Sequence, residues 1–374
     1  MTLKHSPLNA EHIELGARLV DFGGWEMPLS YPEGTIAEHL SCRNDAAVFD
    51  VSHLGTVRVV GPGSFELLQT NLTNDLNRIG PGRAQYQHLL DEADASVLDD
   101  IIVWWVAEDR FDVMPNASNT DRVISVLGGN DVTQQRAVIA VQGPGARGRL
   151  ATFAPEAAAV AHFGVADFEF KGVQCRVAGT GYTGEDGVEC AVPSEVAPAF
   201  WRAVIASGVK PAGLGARDTL RLESGLPLHG HELGAGITSL QAGLGWAVSW
   251  DKGPFRGREA LDRERTAGLK RRLRGLLAEG RRPPRNGDDV LIDGEVAGVV
   301  TSGNYSPVLQ RGIALAFLPP ETAMGASVEI ALRGGQVPAV VVKPPFQRLT
   351  VAPSGDEGAS VRANGPTAKE GAGS

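Results

Sequence analysis

The chain has 374 residues, 43% hydrophobic and 21% charged, with a formal net charge of −9 at pH 7. That length exceeds what one ordinary core holds and predicts two or three domains. The acidic balance argues against broad contact with nucleic acid or anionic lipid, which depends on neutralising phosphates. The three cysteines, Cys42, Cys175 and Cys190, make no C-x-x-C pair, pointing to a reducing compartment such as the cytoplasm and away from a disulfide framework or zinc site. Met1–Leu8 lacks the apolar run of a signal peptide, and no stretch approaches the roughly 18 apolar residues of a membrane span.

Along the chain, helical and strand patterns alternate without the strict rhythm of a parallel sheet. Thr56–Val60 reads as a strand ended by Gly61-Pro62-Gly63, with Ser64 standing as N-cap of the helix that follows. Val97–Trp105 and Phe111–Met114 read as paired strands joined by the turn 107–110, and Ala137–Val141 as a buried strand. Residues 194–206 and 216–226 read as helices. After residue 270, short strands broken by glycines predict a small barrel or sandwich. Residues 351–374 are predicted to be a disordered tail, since Val361 is the one large apolar side chain from Ala352 onward. The run 263–285 carries nine Lys or Arg against Glu264 and Glu279, a local charge of +7. It reads either as a solvated linking segment or as a docking face for an acidic partner.

Three constellations carry chemistry. The first is Asp99-Asp100, entering an apolar strand. Adjacent strand residues face opposite sides, so one carboxylate points inward, where it must be paired or functional, unless the pair sits in a wet turn. The second is the G-x-G-x-x-G run from Gly179 to Gly184. It leads into the strand-like Val188–Val192 rather than a helix, so a glycine-rich hairpin fits better than a dinucleotide site. The third is Arg217 and Arg221, four apart on a predicted helix; Arg217 can clamp a carboxylate, while Arg221 can instead pair with Asp218. Leu228-His229-Gly230-His231-Glu232 looks faintly metal-like but lacks the HExxH spacing and reads as a structural loop. An acid-and-aromatic site with arginines suits a flat polar heterocycle bearing an acidic tail.

Taken in order, several segments resemble one family: ELGARLVDFGGWEMPLSY (14–31), FDVSHLG (49–55), LTNDL (72–76), LDDIIV (98–103), NASN (116–119), AVQGP (140–144), TGYTGEDGVE (180–189), PAGLGARDTLRLESGLPLHGHEL (211–233), GREAL (257–261) and TSGNYSP (301–307). From about Leu8 to Phe346 the chain resembles the glycine cleavage T-protein family, in its actinobacterial form.

The resemblance implies an α+β chain with a three-domain cloverleaf folate-binding fold. Residues 1–265 would hold two interleaved α+β domains, and 266–350 a β-barrel-like C-terminal domain. It also implies an aminomethyltransferase with tetrahydrofolate as co-substrate, no metal, and the lipoylated H-protein as partner. The products would be 5,10-methylenetetrahydrofolate, ammonia and the dihydrolipoyl carrier. Asp100 matches the family's catalytic acid, with Asp99 the weaker candidate. Glu189 matches the acid that binds the pterin, and Tyr86, Tyr182 and Asn116 match contacts nearby. Arg217 and Arg348 match arginines near the distal part of folate. Two departures stand out: Gly179 replaces a common arginine, which would weaken folate binding if that arginine supports the loop, and Ala95-Ser96 replaces a Gly-Gly pair. A non-catalytic folate-binding relative is a competing reading, though its K-G-C-Y-x-G-Q-E type segment is absent. A folate-dependent demethylase of a small methylated compound is another.

Overall fold

The computed structural model describes residues 2–350 and the pair Arg362–Ala363. It divides into two compact units: Met1–Arg221 with Leu226–Leu273, and Leu222–Gly225 with Arg274 onward.

The first unit is built on two main sheets. One has six strands, in the order Val165–Phe170, Val173–Ala178, Gly187–Pro193, Arg136–Gln142, Ala47–Asp50 and Lys210–Pro211. The apolar run AVIAV lies inside Arg136–Gln142, a strand buried along its whole length, because it is covered on both faces. Ala137, Ile139 and Val141 pack with Phe200 and Trp201, which project from the helix Ala197–Ala206. Val138 and Ala140 face the other way and pack with Phe49 and Trp104.

Trp104 belongs to the second sheet, of five strands, in the order Arg83–Leu90, Val97–Ala107, Arg110–Met114, Val57–Val60 and Asn130–Asp131. One face of this sheet joins the shared core through Ala84, Trp104 and Met114. The opposite face presents Val57, Val59, Ile101, Val103 and Val113, covered by Leu68, Val123 and Leu127. These last three come from helices Ser64–Asn71 and Thr120–Leu127. Each fully buried aliphatic side chain contributes roughly 1.5–3 kcal/mol, so this two-sided burial fixes the strand that carries the aspartate pair. A smaller sheet joins Lys4–His5, Trp25–Ser30 and Arg18–Phe22.

In the second unit, the glycine-broken strands close into the expected barrel, six-stranded in the order Arg272–Ala278, Arg311–Leu318, Glu295–Ser306, Asp289–Ile292, Ser327–Leu332 and Gly335–Val342. Leu276, Val290, Val300, Leu318, Ile330 and Val341 fill it. Leu349–Thr350 pairs with Arg362–Ala363; the rest of the tail, 351–374, lies outside the described residues.

Three sequence expectations shift in detail. Ser64 is the first helical residue rather than the cap; Gly63 takes that place in a left-handed conformation, and the Ser64 hydroxyl donates to Gly61 O at 2.6 Å. The helix expected over 216–226 runs instead over Leu214–Glu223, and the one expected over 194–206 begins at Ala197 with a proline in its first turn. In the basic run, Arg265 lies 4.0 Å over the Trp250 ring and Arg271 donates to Gln241 Oε1 at 2.9 Å. These two basic side chains are engaged within their own unit. Cys42, Cys175 and Cys190 are free and buried.

Candidate active site

Alternation along Val97–Ala107 should send Asp99 and Asp100 to opposite faces. Both are drawn inward. Asp99 pairs across the sheet with Leu89 and Asp100 with His88, but the register slips before Val97 meets Leu90, leaving Leu98 as a bulge. A bulge re-aims side chains at the end of a ladder, and here the two carboxylates converge on common partners. Asn116 Nδ2 donates at 2.8 Å to Asp99 Oδ1 and at 2.8 Å to Asp100 Oδ1.

The two carboxyls then differ. Asp99 has no accessible side-chain surface; it also accepts from the Asn116 backbone N–H at 3.1 Å and from Asn119 Nδ2 at 2.8 Å. Burial, then the charge of Asp100, pushes Asp99 up to about 7 against the pull of those amides. Asp100 keeps 14% of its side chain accessible and accepts from the Tyr86 hydroxyl at 3.1 Å. Burial would raise it as well, but His229, His88 and Tyr86 outweigh that and hold it below the ordinary carboxylate value. Near neutrality the pair therefore offers one firmly ionised carboxylate beside one poised to hold a proton, the separation that assigns acid and base roles.

An aromatic wall lines this point. The Tyr86 ring stacks on Trp246, with centroids 5.5 Å apart and planes 28° apart, while Trp246 stays 62% exposed. His88 meets the Tyr86 ring edge-on at 5.0 Å and hydrogen-bonds Ser239 Oγ at 2.7 Å. Burial drives its pKa down to about 4, so it is neutral.

The glycine-rich run is the hairpin loop between Val173–Ala178 and Gly187–Pro193, which pair antiparallel. It opens no helix, which removes the dinucleotide reading. Gln142 anchors it, donating to Thr180 O at 3.1 Å and accepting from Thr183 Oγ1 at 3.0 Å. Thr180 Oγ1 donates to the buried Glu189 at 2.6 Å. The Tyr182 hydroxyl donates to Pro227 O, and its ring carries the Arg217 guanidinium 4.9 Å above the centroid. Arg217 Nη1 is buried without a hydrogen-bond partner among the described residues, a donor left open for an acceptor on a bound molecule.

Two family models cover most of the chain: the GCVT N-terminal domain matches residues 8–252, and the glycine cleavage T-protein C-terminal barrel domain matches 271–347. This chain belongs to the glycine cleavage T-protein family. The aminomethyltransferase of Mycobacterium tuberculosis strain H37Rv is 46% identical over 358 residues, 92% of this chain and 97% of the relative. That of Mycobacterium avium strain 104 is 45% identical over the same length. The crystal structure of the glycine cleavage system aminomethyltransferase T from Bartonella henselae superposes with a TM-score of 0.85 at 34% identity, covering 92% of this chain and 98% of that one. The activity of this T-protein family member is therefore aminomethyl transfer in the glycine cleavage system.

Against that family background, the sequence expectations sort clearly. Asp100, Tyr86 and Asn116 meet at one point, and Tyr182 with Arg217, and Glu189 with Thr180, build the hairpin beside it. Arg348 belongs to the second unit, exposed in the turn Phe346–Arg348. Arg221 is neither a ligand clamp nor a surface residue: its side chain is 2% accessible, and it pairs with Asp218 at 2.8 Å and Glu232 at 3.2 Å. Gly179 has a steric reason. A Cβ there would lie 2.1 Å from Ala161 O, because Phe163 N–H bonds Gly179 O and Gly179 N–H bonds Gly164 O. In this family member the segment 161–164 crosses where an arginine side chain would begin. Ala95, in place of glycine, adopts φ +60°, a conformation costing an L-residue about 1–2 kcal/mol.

Sequence reasoning missed His229 and Trp246. The sequence of the turn holding His229 reads as merely structural, yet Nδ1 lies 3.6 Å from Asp100 Oδ1 and 3.8 Å from Asp99 Oδ1. The three side chains bring ligand atoms within 4.8 Å of one another, a spacing open to a cation. The carboxylate oxygens are already engaged by Asn116, Asn119 and Tyr86 donors, the donor set of a hydrogen-bonded pair. For Trp246, the available signal was an indole flanked by small residues, Gly245 and Ala247, in a stretch with no helical period.

Proposed function

We propose that this chain moves the methylene unit of an aminomethyl group, carried on the lipoyl arm of an H-protein, to tetrahydrofolate. The products are 5,10-methylenetetrahydrofolate, ammonia and the dihydrolipoyl carrier. The balance requires two C–N bonds to form at folate, and one C–S and one C–N bond to break at the donor. Two N–H protons leave folate, one from the ring nitrogen N5 and one from the bridging nitrogen N10; one ends on sulfur and one on the departing amine. A group able to accept such a proton at neutral pH must stand beside the reacting nitrogens.

Asp100 is our choice, and the observation that supports it is its place in a nearly enclosed site, where it accepts hydrogen bonds from Tyr86 and Asn116 that favour its ionised form. Tyr86 and Tyr182 present rings against which a flat pterin can lie, Glu189 supplies an acceptor for its amino donors, and Asn116 a polar wall. We assign Arg217 to the acidic distal part of folate on the strength of its open buried donor. No metal takes part in this reading. We place the reaction in the cytoplasm, in keeping with three free thiols.

The test is a reconstituted transfer with aminomethylated lipoyl carrier and tetrahydrofolate. Methylenetetrahydrofolate and ammonia should form in equal amounts. Retention of folate without ammonia release, or equal turnover of a free small methyl donor, overturns the assignment.

A further inference from the structure

The turn carrying His229 is fixed by its backbone and neighbours rather than by its ring. Leu228 N–H donates to Glu232 Oε2 at 2.9 Å, and that carboxylate meets the buried Arg221 at 3.2 Å. Gly230, at φ +90°, lets the chain reverse so that its N–H reaches Leu233 O at 2.7 Å. Tyr182 ties down Pro227 O. Held this way, the imidazole points Nδ1 between two carboxylates, at 3.6 and 3.8 Å. Nδ1 is buried and has no hydrogen bond among the described residues, while the ring keeps 14% of its surface accessible. These separations exceed a hydrogen bond and lie within ion-pair reach.

We propose that His229 is a positioning residue for the transfer reaction, whose Nδ1, aimed between Asp99 and Asp100, keeps Asp100 the ionised member of the pair. The inference rests on the reading of Asp100 as the proton acceptor. His88 and Tyr86 also favour the ionised form of Asp100, but neither is aimed between the two carboxylates. Tyr86 is bound to Asp100 as a neutral phenol and burial keeps it so, His88 is neutral, and Tyr182 is spent on Pro227 O. Arg122 donates to Leu98 O and Asn119 Oδ1. Asn116 and Asn119 supply dipoles without charge.

The test uses the full chain with His229→Gln, which keeps a polar side chain but does not titrate. Turnover is followed between about pH 3.5 and 9 with aminomethylated carrier and tetrahydrofolate, a window that reaches the acid limb of a carboxylate held below its ordinary value. Losing the imidazole should move the acid limb of kcat upward by about one pH unit. That lowers kcat several-fold at the acid end, approaching about tenfold only below the wild-type limb, and lets it recover fully above about pH 6, with KM for folate within about twofold. A merely structural role would lower kcat by one factor at every pH; that outcome, or an unmoved profile, overturns the proposal.

A second measurement needs no substrate. Carboxyl-carbon NMR titration of Asp99 and Asp100, in wild type and His229→Gln, should show the Asp99 midpoint, about 7 in the native protein, rising by about one unit. An unchanged midpoint overturns the role of His229. Should His229→Gln not fold, His229→Asn carries the same two readouts. If wild type transfers nothing, the functional reading fails, while the carboxyl titration still decides the place of His229.

Discussion

Tyr86 donates its hydroxyl to Asp100 across 3.1 Å, and this bond ties the ionised carboxylate to the aromatic wall that Trp246 extends. A hydrogen bond to a charged group is worth about 1.5–3 kcal/mol. Tyr86→Phe, which keeps the ring and its stacking, should therefore lower kcat by about tenfold or more. Thermal unfolding should move little, since the packing surface is retained. A Tyr86→Phe enzyme with wild-type kcat would show that the hydroxyl does not serve the carboxylate.

Asp100→Asn keeps the shape of the site and removes its proton acceptor. General-base contributions run to roughly 10²–10⁴-fold, so turnover should fall by that order. Folate affinity, measured by calorimetry on the same variant, should change by less than about threefold. Equal loss of turnover and affinity would make Asp100 a binding residue and remove it from the proton chemistry.

Asp99 makes a pH-dependent contribution to stability whose sign can be worked out. Its folded-state pKa, about 7, lies above the ordinary 3.8, so the folded protein holds this proton more tightly than the unfolded chain. The stabilisation is complete below about pH 4 and is lost as pH rises through 7. Three units correspond to roughly 4 kcal/mol as an order of magnitude. Asp99→Asn lacks this dependence. In urea unfolding, wild type should lose stability relative to Asp99→Asn between pH 4 and 8; a constant difference would show that Asp99 is ionised throughout.

Gly179→Ala tests the departure in the hairpin. The added methyl would sit 2.1 Å from Ala161 O, a backbone atom that cannot step aside alone. Overpacking of this kind costs about 1–3 kcal/mol, and the variant should lose that much in chemical denaturation. A neutral result would mean that the 161–164 segment yields easily.

What the sequence disclosed follows the range of the interactions involved. The hairpin of Val97–Ala107 and Arg110–Met114 was readable because its alternation and its turn are local. That one aspartate turns inward was readable because carboxylates in an apolar strand demand partners; that both do was not, since it depends on the bulge at Leu98. The identity of those partners was less so: Asn116 lies 16 residues from Asp100 and was found through family resemblance. His229 was beyond local reading, since its place depends on Glu232 reaching Arg221 in a preceding helix, and nothing in LHGHEL announces that tie. Arg221 was half legible. Its bond to Asp218 follows from spacing, whereas its burial follows from Glu232. The Ser64 cap was misplaced by one because Gly63 takes a left-handed conformation that Ser64 would resist.

The three cysteines have a practical bearing on how this protein can be studied. All are shut inside the fold, and burial pushes the Cys42 thiol up to about 12 and the Cys175 thiol to about 11, far from the thiolate that alkylating dyes require. A maleimide fluorophore should leave the native molecule dark and light it only on unfolding. A new cysteine at an exposed position such as Ala151 would then accept one dye per molecule, with none of the natural thiols removed.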